Sequence, residues 1–586
     1  MKTQAASKAL LTAILAALLF GLQGPVDLAA AGIPDPRFGV VEAYEAPGAA
    51  AQLGAGWTRV TFRWNEIQPN GPQEWNVAPI SDETLSRELA HGREVVGLLV
   101  TTPGWATDLD VGPGVPKGLH LPADDPANLW AGFVRTIVNR YAGRIDRWII
   151  WNEPDIPDTQ HMSWGGSTQD FVRLLQVAYT VSKQTNPSAR IHMAAVTHWW
   201  NEDWFGQFLD ALVSDPNAAA NNFYFDVATL HVYFQPETVY DITVHYGDMM
   251  RGHGIHKPIW IAETNAAPSS DPAWPVPNAQ FQVSLEQQAA YIVQAFSLGI
   301  AAGAERLAVY KMADTETDRQ ANPEPFGLVR LDGGPRPAFS AYQVATTYMA
   351  GFRSGRWERR DAISVVTIDR GDQTTTVTWA RTAEPQTAMI PARTTRALLT
   401  GPEGNARYVY PERGYYYVDL PGAHCPQGCK IGGTPYLLIE EARAGASTAP
   451  TPQSPTPAPS QTAEPADTSA SDASPTHTPA PEGTVTHAPA TSTATPSTTN
   501  TRTPTASATP STTPTPTCRR TSVPTASPTP TSTSRPSPPP APSVTPSPSP
   551  TPASSSLRSG DRAWILLGVM LIGLVGTAMV ANGREI

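Results

Sequence analysis

From Phe38 onward, short runs of β-branched and aromatic residues alternate with longer stretches whose apolar residues recur every three or four positions. Strands are predicted at residues 38–42, 58–64, 95–101, 147–151, 190–196, 227–233, 259–263 and 307–310. Helices are predicted between them at 81–91, 128–141, 169–184, 203–214, 239–251 and 285–302; the first opens on Ser-Asp-Glu-Thr, a good N-terminal signal. Eight strands in alternation with helices predict a (β/α)8 TIM barrel over residues 32–355. A doubly wound open sheet is the alternative, but no Gly-rich phosphate loop follows the first strand. After Arg356 the period falls to two. Runs at 362–369, 374–380, 396–399, 406–410, 415–420 and 436–439, parted by Gly, Pro and Asp, predict a small all-β sandwich-like domain over 356–444.

Composition divides the chain further. Of the 60 prolines, 27 lie between Pro450 and Pro552, whereas Trp564 alone of the 16 tryptophans lies beyond Trp379. Residues 445–557 hold too few large apolar side chains to offset chain entropy, so a disordered Pro/Thr/Ser stalk is expected there. Two apolar segments flank the whole. Lys2 and Lys8 give a positive start, Ala9 to Leu22 is apolar or small apart from Thr12, and Ala29, Ala30 and Ala31 then offer a cleavage site, which predicts a signal peptide over 1–31. Residues 563–581 are uncharged and long enough, at about 1.5 Å per residue, to cross a ~30 Å hydrocarbon core as a transmembrane helix. Together they predict an exported protein anchored to the cell membrane with its globular part outside. The net charge of -11 argues against a nucleic-acid partner. Cys425 and Cys429, four apart, suit a local disulfide in an oxidising compartment, with a metal site that includes His424 as the alternative. Cys518 stands alone in the Pro-rich tract.

Candidate chemistry lies where apolar strands run into glutamates. Arg147-Trp-Ile-Ile-Trp-Asn-Glu-Pro-Asp155 brings Asn152 and Glu153 to the end of the fourth strand. Pro258-Ile-Trp-Ile-Ala-Glu-Thr-Asn265 brings Glu263 to the end of the seventh. Catalytic groups of such barrels gather at the C-terminal strand ends, and glycosidic cleavage uses a pair of carboxyls. Glu66, in a loop-like Asn-Glu-Ile, reads as structural.

These two motifs resemble the clan A retaining glycoside hydrolases, over about Phe38 to Ala350. The resemblance implies that Glu153 is the acid/base, that Glu263 is the nucleophile, and that Asn152 holds the sugar 2-hydroxyl. By the same likeness Arg59 matches an arginine under the active site. His231 and Tyr233 match a sixth-strand pair whose tyrosine bonds the nucleophile, and Trp105 matches an aromatic offered to the sugar. The eighth strand departs from the pattern: Ala308-Val-Tyr-Lys-Met-Ala-Asp314 stands where many members carry a tryptophan. Tyr310 or Lys311 is left to fill that place, and Lys311 is expected either to favour an acidic sugar or to pair with Asp314. Trp64, Trp199 and Trp200 are open between sugar stacking and core roles.

The resemblance implies hydrolysis of a β-linked oligo- or polysaccharide by double displacement, with no metal and no cofactor. A carbohydrate-binding surface protein that has lost activity is the competing reading. Sugar, linkage and oligomeric state have no signature in these motifs.

Overall fold

A computed structural model describes residues 35–441, apart from 77–79, 157–162, 322–323 and 426. The expected signal peptide (1–31), stalk (445–557), lone Cys518 and transmembrane helix (563–581) lie outside the described residues. Among those described, no helix is long and apolar enough to cross a membrane.

Eight parallel strands close into a barrel in sequence order. They are β1 (Phe38–Val40), β2 (Trp57–Arg63), β3 (Glu94–Val100), β4 (Arg147–Asn152), β5 (Arg190–Val196), β6 (Val227–Tyr233), β7 (Ile259–Asn265) and β8 (Arg306–Val309). A helix follows each one: α1 (Pro47–Gln52), α2 (Asp82–Ala90), α3 (Leu129–Tyr141), α4 (Thr168–Thr185), α5 (Trp204–Val213), α6 (Pro236–Gly252), α7 (Leu285–Ala301) and α8 (Pro337–Tyr348). Local sequence sets their starts. Ser167 and Ser284 form capping boxes with Asp170 and Gln287. Ser81 and Asn128 accept from the backbone of Thr84 and Ala131. Pro47, Pro236 and Pro337 occupy first-turn positions, where a missing N–H costs nothing.

Small residues make room for indoles across the barrel wall. Gly39 pairs with Trp57, and Gly97 with Trp148, in neighbouring strands. A Cβ on Gly97 would lie 2.3 Å from the Trp148 ring. The N-terminal end of the barrel is plugged by charge and aromatics. Glu94 bonds Arg147 at 2.6 Å and Arg306 at 2.5 Å. The two guanidinium carbons lie 5.0 Å and 4.2 Å from the Trp260 ring centre.

The remaining strands are β9 (Ser354–Arg359), β10 (Ile363–Asp369), β11 (Gln373–Ala380), β12 (Gln386–Pro391), β13 (Ala397–Thr400), β14 (Ala406–Val409), β15 (Tyr415–Leu420) and β16 (Tyr436–Glu441). They form a six-stranded sheet ordered β14-β13-β16-β11-β10-β9 and a two-stranded β12-β15 sheet. Between the two lies a core that includes Val365, Ile390, Leu399, Val418, Leu420 and Leu438. Two of these strands, β9 and β12, are absent from the sequence expectation. β9 is polar apart from Trp357, which packs on Tyr240 of α6 at 4.8 Å, so its apolar partner belongs to the barrel. β12 has only Ala388 and Ile390 in buried alternation.

The sheet covers α7. Every residue from Gln288 to Ile300 is buried, an all-round burial that a surface helix does not show. Gln294 donates to the Gly433 carbonyl at 2.9 Å and accepts from the Gly432 amide at 3.1 Å. Arg381 grips Glu237 through two bonds of 2.6 Å and 3.0 Å. The Cys425–Cys429 disulfide is formed, so neither sulfur is left for the metal alternative. Its loop closes on the start of α7 and the segment before it: Gln427 accepts from the Gln282 amide at 3.2 Å, and the His424 carbonyl accepts from the Gln287 side chain at 3.1 Å.

Gly97→Ala should lower the unfolding free energy by about 1–3 kcal/mol, because the Trp148 ring has nowhere to retreat. Urea denaturation of the two proteins checks this, and equal midpoints would show that the wall yields.

Candidate active site

At the C-terminal mouth of the barrel, four strands each contribute to one buried cluster. Glu153 follows β4, Arg59 comes from β2, His231 and Tyr233 from β6, and Glu263 from β7. Glu153, Arg59 and Glu263 are 2 %, 5 % and 3 % exposed. Alternation along β6 sends His231 and Tyr233 to the same face, because side chains two apart share a side of a strand.

Glu263 is held at both oxygens. Arg59 Nη2 makes an ion pair with Oε1, and the Tyr233 hydroxyl donates to Oε2. Burial alone would raise the Glu263 carboxyl. The Arg59 charge, the His231 ring and the hydrogen bonds from Tyr233 and Arg59 outweigh it, and the group sits below its ordinary 4.5. Burial would also depress Arg59, but Glu263 holds it above its usual value. Burial first, and then the Glu263 charge, pushes the Tyr233 phenol well up, so it stays a donor.

His231 bridges the two glutamates. Its Nδ1 lies 2.7 Å from Glu153 Oε1 and 3.5 Å from Glu263 Oε2, and its Nε2 lies 3.4 Å from Arg59 Nη1. A guanidinium only donates, so Nε2 must accept. The ring proton therefore belongs on Nδ1, which donates to Glu153. One ligand atom each of Glu153, His231 and Glu263 lie within 4.8 Å of one another. That donor set has the composition of a metal site, but Arg59 already pairs with Glu263 and points at His231. A cation among them would face an unmovable positive charge.

The other candidate residues are placed as follows. Asn152 ends β4, buried beside Glu153. Trp105 is half-buried beyond β3, with its indole N–H on the Gln68 carbonyl at 2.7 Å and its ring edge-on to Trp64. Trp64 itself is core, stacked on Phe133 at 4.8 Å. Trp199 is buried and Trp200 half-buried beyond β5. Glu66 is half-exposed and lies 3.8 Å from Arg63.

Lys311 corrects the expectation placed on it. Its ammonium is ringed by Glu42, Glu45 at 3.3 Å and Asp318 at 3.0 Å. Asp314 pairs instead with Arg336 at 2.6 Å. Three carboxyl groups close around this one lysine, which turns its charge toward them and not toward a sugar. Burial, with Glu42 next in weight, raises Glu45 to about 8. Tyr310, not Lys311, joins the cluster's wall: its ring is edge-on to Tyr233 at 6.3 Å and to Phe326 at 5.7 Å.

Sequence reasoning missed two supports. Asn265 at the end of β7 donates to the carbonyls of Tyr310 and Phe326 at 2.5 Å and 2.8 Å, which fixes the loop beyond β8. Asp155, two residues past Glu153, reaches across to the loop after β5. Each is the last residue of one of the two strand-end motifs, but their partners are distant in sequence and carry no signal of their own.

Residues 128–342 match the family model described as a glycosyl hydrolase catalytic core, a span that contains both glutamates, His231 and Tyr233. The chain is a glycosidase. Its barrel has the clan A glycoside hydrolase fold. A family 39 glycoside hydrolase from the gut symbiont Bacteroides cellulosilyticus superposes with a TM-score of 0.51 at 15% identity, covering 70% of this chain and 81% of that one. A monomeric beta-xylosidase from Caulobacter crescentus gives 0.46 at 17% identity, covering 72% and 98%. At these identities the likeness speaks for the fold alone, and it rests on the first of the two. Comparison with curated proteins gives no match.

The lowered Glu263 value has a stability consequence. Its ionisation stabilises the fold fully above the ordinary 4.5, and that contribution disappears as pH falls through the depressed folded value. Unfolding free energy measured from pH 6 to pH 3 should therefore fall more steeply in this glycosidase than in its Glu263→Gln variant. Parallel curves would show that the pair with Arg59 does not hold the charge.

Proposed function

We propose that this glycosidase cleaves the O-glycosidic bonds of a β-linked oligo- or polysaccharide with retention of configuration. The observation that supports retention is the closeness of the carboxyls: an oxygen of Glu153 and one of Glu263 lie within 4.8 Å. Retaining enzymes hold the pair about 5–5.5 Å apart, and inverting enzymes about 6.5–9.5 Å, to admit a water between.

In the first step Glu263, ionised beside Arg59 and aligned by Tyr233, attacks the anomeric carbon. Glu153 delivers its proton to the glycosidic oxygen, and the carbon–oxygen bond breaks to leave a glycosyl ester on Glu263. In the second step a water attacks the same carbon, Glu153 takes the water's proton, and Glu263 departs as carboxylate. His231 Nδ1–H occupies Oε1 of Glu153, so the transferred proton travels on Oε2. In this reading Asn152 bonds the sugar 2-hydroxyl and Tyr310 lines the wall at the reacting ring. The same reading sets the enzyme outside the cell on a membrane tether, from the character of residues 1–31 and 563–581.

The test is turnover of a panel of aryl β-glycosides and polysaccharides by the full chain. Glu263→Gln should lose activity by at least about 10³-fold. Glu153→Ala should regain activity on activated aryl glycosides when azide replaces the water, with a glycosyl azide of retained configuration as product. An inverted azide, or turnover undiminished in Glu263→Gln, would overturn the assignment. A folded parent that binds glycans and turns over none of the panel would favour the inactive binding protein.

A further inference from the structure

Glu153 is carried on backbone that needs help to exist. Its φ is +42°, that of Trp151 is +76°, and across the gap His198 has φ +73°. Side chains other than glycine adopt this left-handed region at a cost, and the conformation persists only where neighbours over-determine it. Two sets of bonds do so. The Glu153 amide donates to the Ala195 carbonyl at 2.9 Å. Two residues on, a single oxygen of Asp155, Oδ2, accepts from the Thr197 amide at 2.9 Å, the Thr197 hydroxyl at 2.7 Å and the His198 amide at 2.9 Å. The turn that carries Glu153, closed by the Ile156 amide on the Glu153 carbonyl at 3.2 Å, is thus pinned to the end of β5 on both sides of Pro154.

Asp155 is 3 % exposed, and its second oxygen has no hydrogen-bond partner. A carboxyl buried at that cost, with every bond directed to one neighbouring loop, is poor as a source of stability alone. Burial lifts it to about 6 against the pull of Thr197, and the Glu153 charge adds to the rise.

We propose that Asp155 is a positioning residue for the acid/base: through Thr197 and His198 it fixes where the Glu153 carboxyl stands over the leaving oxygen. This rests on the role given to Glu153 above. The consequence is selective. Aryl glycosides with strongly acidic phenols leave without protonation, whereas phenyl glycosides need the proton, so loss of the brace affects only the second kind.

The experiment measures kcat/KM of the full chain on matched phenyl and 2,4-dinitrophenyl β-glycosides of the sugar that the parent hydrolyses. Asp155→Ala, Asp155→Asn, Thr197→Val and Glu153→Ala are compared with the parent. Asp155→Ala and Asp155→Asn should lose about 10²-fold on the phenyl glycoside and less than about threefold on the dinitrophenyl one. Thr197→Val, which removes one of three donors, should show a weaker split of the same sense, and it carries the test if the Asp155 variants do not fold. Equal losses on both substrates would mark Asp155 as merely structural, and no loss would mark it as idle; either overturns the proposal. A Glu153→Ala control without the split, or a parent silent on the whole panel, overturns the reading beneath it instead, and the brace falls with it.

Discussion

The ion pair between Arg59 and Glu263 is the constraint around which the barrel mouth is organised. Two charges at about one-twentieth exposure cost several kcal/mol each to desolvate, and mutual attraction repays this only with good geometry and satisfied remaining valences. The surroundings supply both. Tyr233 takes the second carboxylate oxygen, and His231 meets the guanidinium while it reaches Glu153. Because the partners come from β2, β4, β6 and β7, the arrangement exists only if the strands meet at one height. Closure of the barrel in sequence order provides that. Removing one partner leaves a buried charge without its counterpart, so chemistry and fold share the same failure.

Much of this was legible because barrel strands and their ends carry a local code. Apolar runs of the right length located all eight strands within a few residues, and the glutamates closing β4 and β7 stood out against them. Where the code is not local, reading stopped. Lys311 was open between a sugar and Asp314, yet its partners Glu42 and Glu45 come from the loop after β1, brought close only when β8 pairs with β1. Asp155 looked like a motif's trailing residue, since Thr197 and His198 are some forty positions away. β9 has no apolar alternation because it is an edge strand whose one large ring, Trp357, packs against Tyr240 of the barrel.

The β region is part of how the barrel is completed. With α7 buried on all sides, the whole helix has been given the composition of an interior: Ala289, Ile292, Phe296 and Ile300 share it with Gln288 and Gln294. Gln294 is tolerable there because the Gly432–Gly433 backbone satisfies its amide in both directions. The helix behind β7 thus draws part of its surroundings from residues more than a hundred positions downstream.

The plugged floor of the barrel has a different kind of consequence. Glu94, Arg147, Arg306 and Trp260 close the end opposite the glutamates, so the barrel is a cup and not a conduit. All traffic shares one opening. In the double displacement proposed above, the alcohol released in the first half must clear the rim before a water can take its place over the same carbon. The order of departure and arrival is therefore imposed by the shape of the vessel, and an acceptor sugar lingering at the rim would compete with water for the glycosyl group.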